Sequence, residues 1–292
     1  GGNGGPEATA VRDSSSEPAG RSMFVGSEAE DFGQWLAKNQ EAGQAAGAQG
    51  SAAWAQCRES WGKIKQAILQ SSEVCYLRAE ALQGGEAGLE RNGRRRALQQ
   101  AAGWYEEALC LAGEAGSCGD QAFSRAAVAL CRLLPNVCGM GELKAGLERA
   151  VLLGEEGARR ARPGSRLRVA ALQHLGNAYA QLRRQDEAES NLDLSERALR
   201  LCLEEMDELT DVEEEGKGDW LQRGEVLGIL GNVHGQRVLG EEDGDAAVRA
   251  AELYEQAAEC FEGQGALRRV IDVSVSAGNA LLRAGLHERA TA

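Results

Sequence analysis

Apolar residues recur at three- and four-residue steps through most of the chain, which is the pattern of amphipathic helices. From residue 54 to residue 82 they predict one long helix, or two helices with a break near Ser71 and Ser72. No window shows the strict alternation of a half-buried strand. Glycine and proline punctuate the pattern, which predicts helices at 97–115, 120–134, 141–157, 166–183, 186–209, 219–239, 246–262 and 266–284, and a further start at 286. Helices joined by such short turns pack as antiparallel hairpins, so the expected fold class is all-α.

Composition divides the chain into three parts. Residues 1–50 are rich in Gly, Ser, Pro and Glu, which predicts a disordered, low-complexity tail with room for a short helix at 31–40. Residues 51–96 carry the long N-terminal amphipathic helix or helix pair. Residues 97–292 carry helical repeats, of which the last is expected to be truncated.

The repeats are visible as three related segments, 172–179, 227–234 and 274–281, each with Gly-Asn at its centre. Downstream of the first two lies a trio of small, bulky and small residues, with about seven extra residues in the second repeat. A glycine in the first helix lets the second helix approach closely, and the trio is expected to fill the gap. The trios are Ala188, Leu192 and Ser195 in the first repeat, and Ala250, Tyr254 and Ala257 in the second.

These residues resemble the tetratricopeptide repeat (TPR) family. The similarity is greatest to its long-repeat Leu-Gly-Asn variety, which occurs in Pins-type G-protein-signalling modulators and in kinesin-light-chain-like scaffolds. The resemblance implies a right-handed superhelical solenoid with a concave and a convex side. The family's proline at the end of the second helix is absent. The matching positions of the first repeat are Leu172, Leu175, Gly176, Tyr179, Ala188 and Leu192.

In this family the first helix of each repeat lines the concave groove, and the residue after the central glycine points into it. The resemblance therefore implies that Asn177, Asn232 and Asn279 bind a partner. A carboxamide both donates and accepts, so a ladder of them could pair with a peptide backbone. The alternative is that each Asn only bonds neighbouring helix backbone. By the same resemblance the groove is flanked by Gln173, Gln181, Gln236, Asp272 and Arg283.

The function predicted from these repeats is a protein-protein interaction scaffold or adaptor that holds a peptide or helix of a partner in the groove. Two alternatives stay open. The chain could be a structural subunit of a large ciliary, cytoskeletal or organellar assembly. It could also be the regulatory arm of an enzyme whose catalytic domain lies outside these residues.

Charge and composition exclude several other functions. A net charge of -13 argues against nucleic acid as a ligand. No apolar run reaches the roughly 18 residues of a membrane span, which predicts a soluble protein without a membrane partner. Eight cysteines without a CxxC pair are expected to be buried, reduced thiols of a cytoplasmic protein, with a cytoskeletal or ciliary address also open.

Residues for catalysis or metal binding are not apparent. His174, His234 and His287 fall in three different helices without a second ligand at the spacing of a zinc site. No phosphate-binding or nucleophile motif is present, so no enzyme activity, cofactor or metal is predicted. The acidic stretch 204–215 is either a solvated helix end or a docking strip for a basic partner. Calcium binding is a weaker third option, because the stretch lacks the alternating oxygen ligands of an EF-hand.

Overall fold

The computed structural model describes residues 47–85, 91–139, 141–210, 217–237, 244–283 and 285–286, and these residues contain α-helices but no strand. The all-α solenoid prediction is confirmed. Most of the predicted tail, its helix at 31–40 and the residues beyond Leu286 lie outside this part. The helices are α1 (Gly47–Gly84), α2 (Arg91–Glu114), α3 (Asp120–Val137), α4 (Leu143–Arg160), α5 (Arg166–Asp186), α6 (Ser190–Thr210), α7 (Lys217–Arg237), α8 (Gly244–Glu262) and α9 (Leu267–Arg283), with a 3-10 turn at Gly116–Gly119.

The N-terminal helix is unbroken at the serines that suggested a break. Ser72 is buried, and its hydroxyl donates to the carbonyl oxygen of Ala108 in α2 at 2.8 Å. The serine therefore ties α1 to α2. Helix α2 begins at Arg91, so residue 96, the predicted limit of the N-terminal segment, falls inside α2.

Each helix packs against the next one along the chain, as expected for stacked hairpins. Further contacts join each odd-numbered helix to the next odd-numbered helix, so that α1, α3, α5, α7 and α9 form one layer. The core between this layer and the even-numbered helices is built mainly from alanine and leucine, among them Leu130, Leu147 and Leu199. Small side chains let the helix axes come close, which suits a chain with few aromatic residues.

The helix ends follow local signals. Ser165 caps α5, because its hydroxyl accepts a hydrogen bond from the amide of Arg168 at 3.3 Å. Gly164, just before it, has a φ of 63°, a left-handed conformation that favours glycine. Helix α3 ends three residues later than predicted. Pro135 lies inside its last turn, where it removes only one hydrogen bond, and the amide of Cys138 closes that turn on the carbonyl of Leu134.

In both repeats the residue that packs against the central glycine lies at the same distance along the sequence, and this distance differs from the predicted one. A Cβ on Gly176 would lie 2.5 Å from Cγ of Leu199, and a Cβ on Gly231 would lie 2.7 Å from Cε1 of Tyr254. Both partners follow their glycine by 23 residues. The position equivalent to Tyr254 is therefore Leu199 and not Leu192, and the contacts require no seven-residue insertion in the second repeat.

Candidate functional site

Two adjoining cavities lie on the face formed by α5, α7 and α9. We call them the central cavity, of about 440 Å³, and the arginine cavity, of about 730 Å³. Asn232, Tyr254 and Ser276 line both. Together the cavities make a groove that crosses the odd-numbered layer, and each is large enough for several side chains of a peptide.

The central cavity combines an apolar patch with polar side chains. Ile229 and Val273 supply the apolar surface, and Asn177 and Asp272 supply polar groups beside it. Glycine forms part of the wall. Gly224 has no room for a side chain, because a Cβ there would lie 2.7 Å from Cε1 of Phe261. The glycine therefore lets the Phe261 ring pack directly against the α7 backbone at the wall of the cavity.

A chain of hydrogen bonds runs along the wall of the central cavity. The Gln173 amide donates to Oε2 of Glu225 at 3.0 Å, and its own oxygen accepts from the Gln222 amide at 2.8 Å. Arg269 of α9 forms an ion pair with the same Glu225 carboxylate. Gln173 is only 6% exposed. Its carboxamide therefore holds α5 and α7 together, and it is occupied by neighbours within the chain.

His174 lies next to this chain of hydrogen bonds and lines the central cavity. Burial, reinforced by the positive charge of Arg132, lowers the pKa of its imidazole from 6.5 to about 4, against an opposing effect of Glu225. The side chain is therefore neutral near pH 7. A neutral imidazole contributes a hydrogen-bonding group to the cavity but no positive charge.

The arginine cavity carries most of the positive charge of the groove. Arg183 and Arg184 reach it from the last turn of α5, and Arg283 reaches it from the end of α9. Glu187 is the one acidic residue among the described residues that line it. The Arg183 Nε and the Gln236 Nε2 are buried and find no acceptor in the described part of the chain.

Tyr254 joins the two cavities. Its hydroxyl donates to Oδ1 of Asn232 at 3.0 Å. Burial raises the pKa of the tyrosine to about 12, while Arg184 and Arg283 act in the opposite direction. The Asn232 oxygen thus accepts one hydrogen bond from within the chain, and the NH₂ group of this lining residue is a donor for a ligand.

Seven of the eight residues predicted to bind a partner line the two cavities. Asn177, Gln173 and Asp272 line the central cavity, Gln236, Asn279 and Arg283 line the arginine cavity, and Asn232 lines both. Gln181 lines neither of them. Whether any of these residues contacts a partner stays a prediction. The sequence interpretation missed Arg183, Arg184, Tyr254 and Glu225, although paired arginines at a helix end are a visible signal.

Part of the acidic stretch is used inside the fold. Glu205 is 6% exposed, accepts a hydrogen bond from the Gly164 amide at 2.7 Å and pairs with Arg168. Asp207 forms an ion pair with Arg223 of α7. Among the described acidic residues of the stretch, Glu204, Asp207 and Glu208 are exposed, and residues 211–216 lie outside the described part.

Metal ligands and reactive cysteines give no second site. The described residues contain no group of three His, Cys, Asp or Glu side chains that could hold a metal ion. His234 is buried beside Glu196, with 3.6 Å between Nε2 and Oε1, and His287 lies outside the described residues. The expectation that the cysteines are buried is wrong for Cys110 and Cys118, which are exposed. Within the described ranges no helix combines the length and apolar character of a membrane span.

Comparisons with known proteins add little. No protein-family model matches the chain, and no curated protein matches it. Among solved structures, the chain is similar to the de novo designed helical repeat protein DHR64. The two share 22% identity over 78% of this chain and 97% of that one, with a TM-score of 0.22. A similarity of this size carries no argument about family or function, so the groove has to be interpreted from its own side chains.

Proposed function

We propose that this protein is a protein-protein interaction scaffold of the TPR type, which binds a peptide or helix of a partner in the groove across α5, α7 and α9. The observation that carries the proposal is the pair of adjoining cavities, whose lining combines carboxamides with the apolar side chains of Ile229 and Val273. Such a surface offers hydrogen bonds to a peptide backbone and an apolar patch to its side chains.

The TPR assignment is supported by the burial of the matching residues. Leu172, Leu175 and Tyr179 are all buried. The carbonyl of Gly176 accepts a hydrogen bond from the buried Ser195 hydroxyl at 2.7 Å, which joins the two helices of the repeat at its central glycine. Positions that carry the resemblance therefore make the contacts that a helical hairpin requires.

The proposal is tested by affinity capture with the full chain as bait. The groove variant replaces Asn177, Asn232 and Asn279 with Ala. Its matched control removes three exposed carboxamides that line neither cavity, namely Gln99, Gln185 and Gln256. Circular dichroism first establishes that both variants fold.

We expect proteins captured by the wild type and by the control to be lost from the groove variant. Capture that is equal for all three baits would contradict groove binding. If capture is equal for all three baits and is also lost at high salt, binding to the exposed carboxylates of α6 becomes the better explanation, because salt screens the attraction between exposed charges.

A second candidate function, as a built-in subunit of an assembly, is favoured by an apolar stripe on α9. Leu267, Ile271 and Val275 follow at four-residue steps and are 69%, 62% and 57% exposed. An exposed stripe of this kind is often covered by another protein. Sedimentation of the purified chain distinguishes the two functions, since a stable monomer favours the adaptor and self-association favours the subunit.

A further inference from the structure

The arginine cavity has a charge opposite to that of the protein. The whole chain carries a net charge of -13, whereas three arginines and one glutamate line this cavity. Basic side chains concentrated in a concave surface focus the electrostatic field on whatever enters it. The cavity therefore selects against cationic ligands although the protein as a whole is acidic.

The three arginines of this cavity lack the ion pairs that are common elsewhere in the described part of the chain. Arg183, Arg184 and Arg283 form no ion pair with a carboxylate in the described ranges, although many other arginines of the protein do. They sit at the C-terminal ends of α5 and α9, where the helix dipole favours a positive charge. The helix dipoles stabilise these positive charges but supply no acceptor for the N–H groups of the side chains.

Two side-chain nitrogens of the cavity have no hydrogen-bond partner among the described residues. The Arg183 Nε and the Gln236 Nε2 are buried without a described acceptor. The NH₂ group of Asn232 is a further donor, while its oxygen accepts from the Tyr254 hydroxyl. Because its three guanidinium groups form no ion pair in the described ranges, this cavity gains most from a ligand that brings acceptor oxygens and a negative charge.

We infer that the arginine cavity binds an aspartate or glutamate side chain of the partner peptide, whose chain then continues along the central cavity. This inference rests on the proposed function. The carboxylate binds between the exposed side chains of Arg184 and Arg283, with Arg183 on the wall of the same cavity. The neighbouring apolar patch of Ile229 and Val273 takes an apolar side chain of the same peptide.

The test is a selection from a displayed library of random peptides against the full chain. The C-terminus of each peptide is fused to the display protein, so only side-chain carboxylates are probed. We expect enriched peptides to share an acidic residue at a fixed distance from an apolar one. Enriched peptides without an acidic preference would overturn the inference while leaving the groove proposal standing, provided that the triple asparagine variant no longer binds them.

Affinities of one enriched peptide for single variants give the second readout. Arg184→Gln and Arg283→Gln each change an exposed side chain, and each is expected to weaken binding about tenfold and to reduce its salt dependence. Arg268→Gln, an exposed arginine of α9 outside both cavities, is the matched control and should bind as the wild type does. Equal affinity of all three variants would overturn the inference. If no peptide is enriched at all, the proposed function fails together with it.

Discussion

Two glycines of α7 should respond in opposite ways to the same substitution. Gly231 lies beneath the ring of Tyr254, and an added Cβ would lie 2.7 Å from Cε1. That ring is 5% exposed and its hydroxyl is bonded to Asn232, so it has little freedom to move. Gly228 lies one turn earlier, where an added Cβ would meet only Cγ1 of Val273 at an ordinary 3.8 Å.

The magnitudes follow from two opposing effects. Replacing a helix-interior glycine by alanine stabilises the helix by about 1 kcal/mol, because alanine loses less backbone entropy on folding. Overpacking a filled site costs about 1–3 kcal/mol. Gly228→Ala should therefore raise the free energy of unfolding by up to about 1 kcal/mol, whereas Gly231→Ala should lower it by about 1 kcal/mol.

Urea-induced unfolding, followed by the helical circular dichroism signal, measures both variants against the wild type. The reasoning also predicts coupling. In the double variant Gly231→Ala/Tyr254→Leu the ring is gone, so its loss of stability should be smaller than the sum of the two single losses. Shifts of the same sign for Gly228→Ala and Gly231→Ala would refute the close approach of α7 and α8 at Gly231.

Three further outcomes are expected. Ser195→Ala should lower the free energy of unfolding by about 1 kcal/mol, because the buried Gly176 carbonyl loses its side-chain donor; urea unfolding that leaves the midpoint unchanged would contradict this. The folded-state pKa of His174 is lowered to about 4, so its contribution to stability is complete above pH 6.5 and is lost as the pH falls towards 4. His174→Gln should then lose less stability than the wild type over that interval in unfolding measured at several pH values, and identical pH profiles would argue against a buried neutral imidazole. Maleimide should label the exposed Cys118 in the native protein but not Cys202, where burial raises the thiol pKa to about 12; mass spectrometry reads the sites, and native labelling of Cys202 would contradict its burial.

The helices could be predicted closely because their signals are local. A three- to four-residue period and the intervening glycines place most helix ends within a few residues. The end of α3 is an exception, because a proline usually ends a helix, whereas Pro135 lies in the last turn and removes a single hydrogen bond there.

The pairing of helices within a repeat was harder to predict. Matching residue types suggested that Tyr254 corresponds to Leu192, because both are bulky residues between small ones. The contact with the central glycine shows that Tyr254 corresponds to Leu199. Several residues on one face of a helix have similar size, so only the observed distance identifies which of them fills the gap.

The arginine cavity could not be predicted from spacing alone. Arg183 and Arg283 are far apart in sequence and come together only because α5 and α9 lie on either side of α7. Gln173 shows the converse, since its predicted groove position is compatible with a side chain that is already bonded to Gln222 and Glu225. Burial and pairing in three dimensions decide which polar side chains remain available to a partner.

Photo-crosslinking tests the groove most directly. A photoreactive amino acid at Asn279 lies in the groove, and one at Gln256 of α8 lies on an exposed position outside both cavities. With the full chain in its native extract, we predict a discrete crosslinked partner from position 279, none from position 256, and loss of the crosslink when Arg283 is replaced by Gln. A partner crosslinked from position 256 alone would place the interaction on α8, outside the groove, and contradict the account.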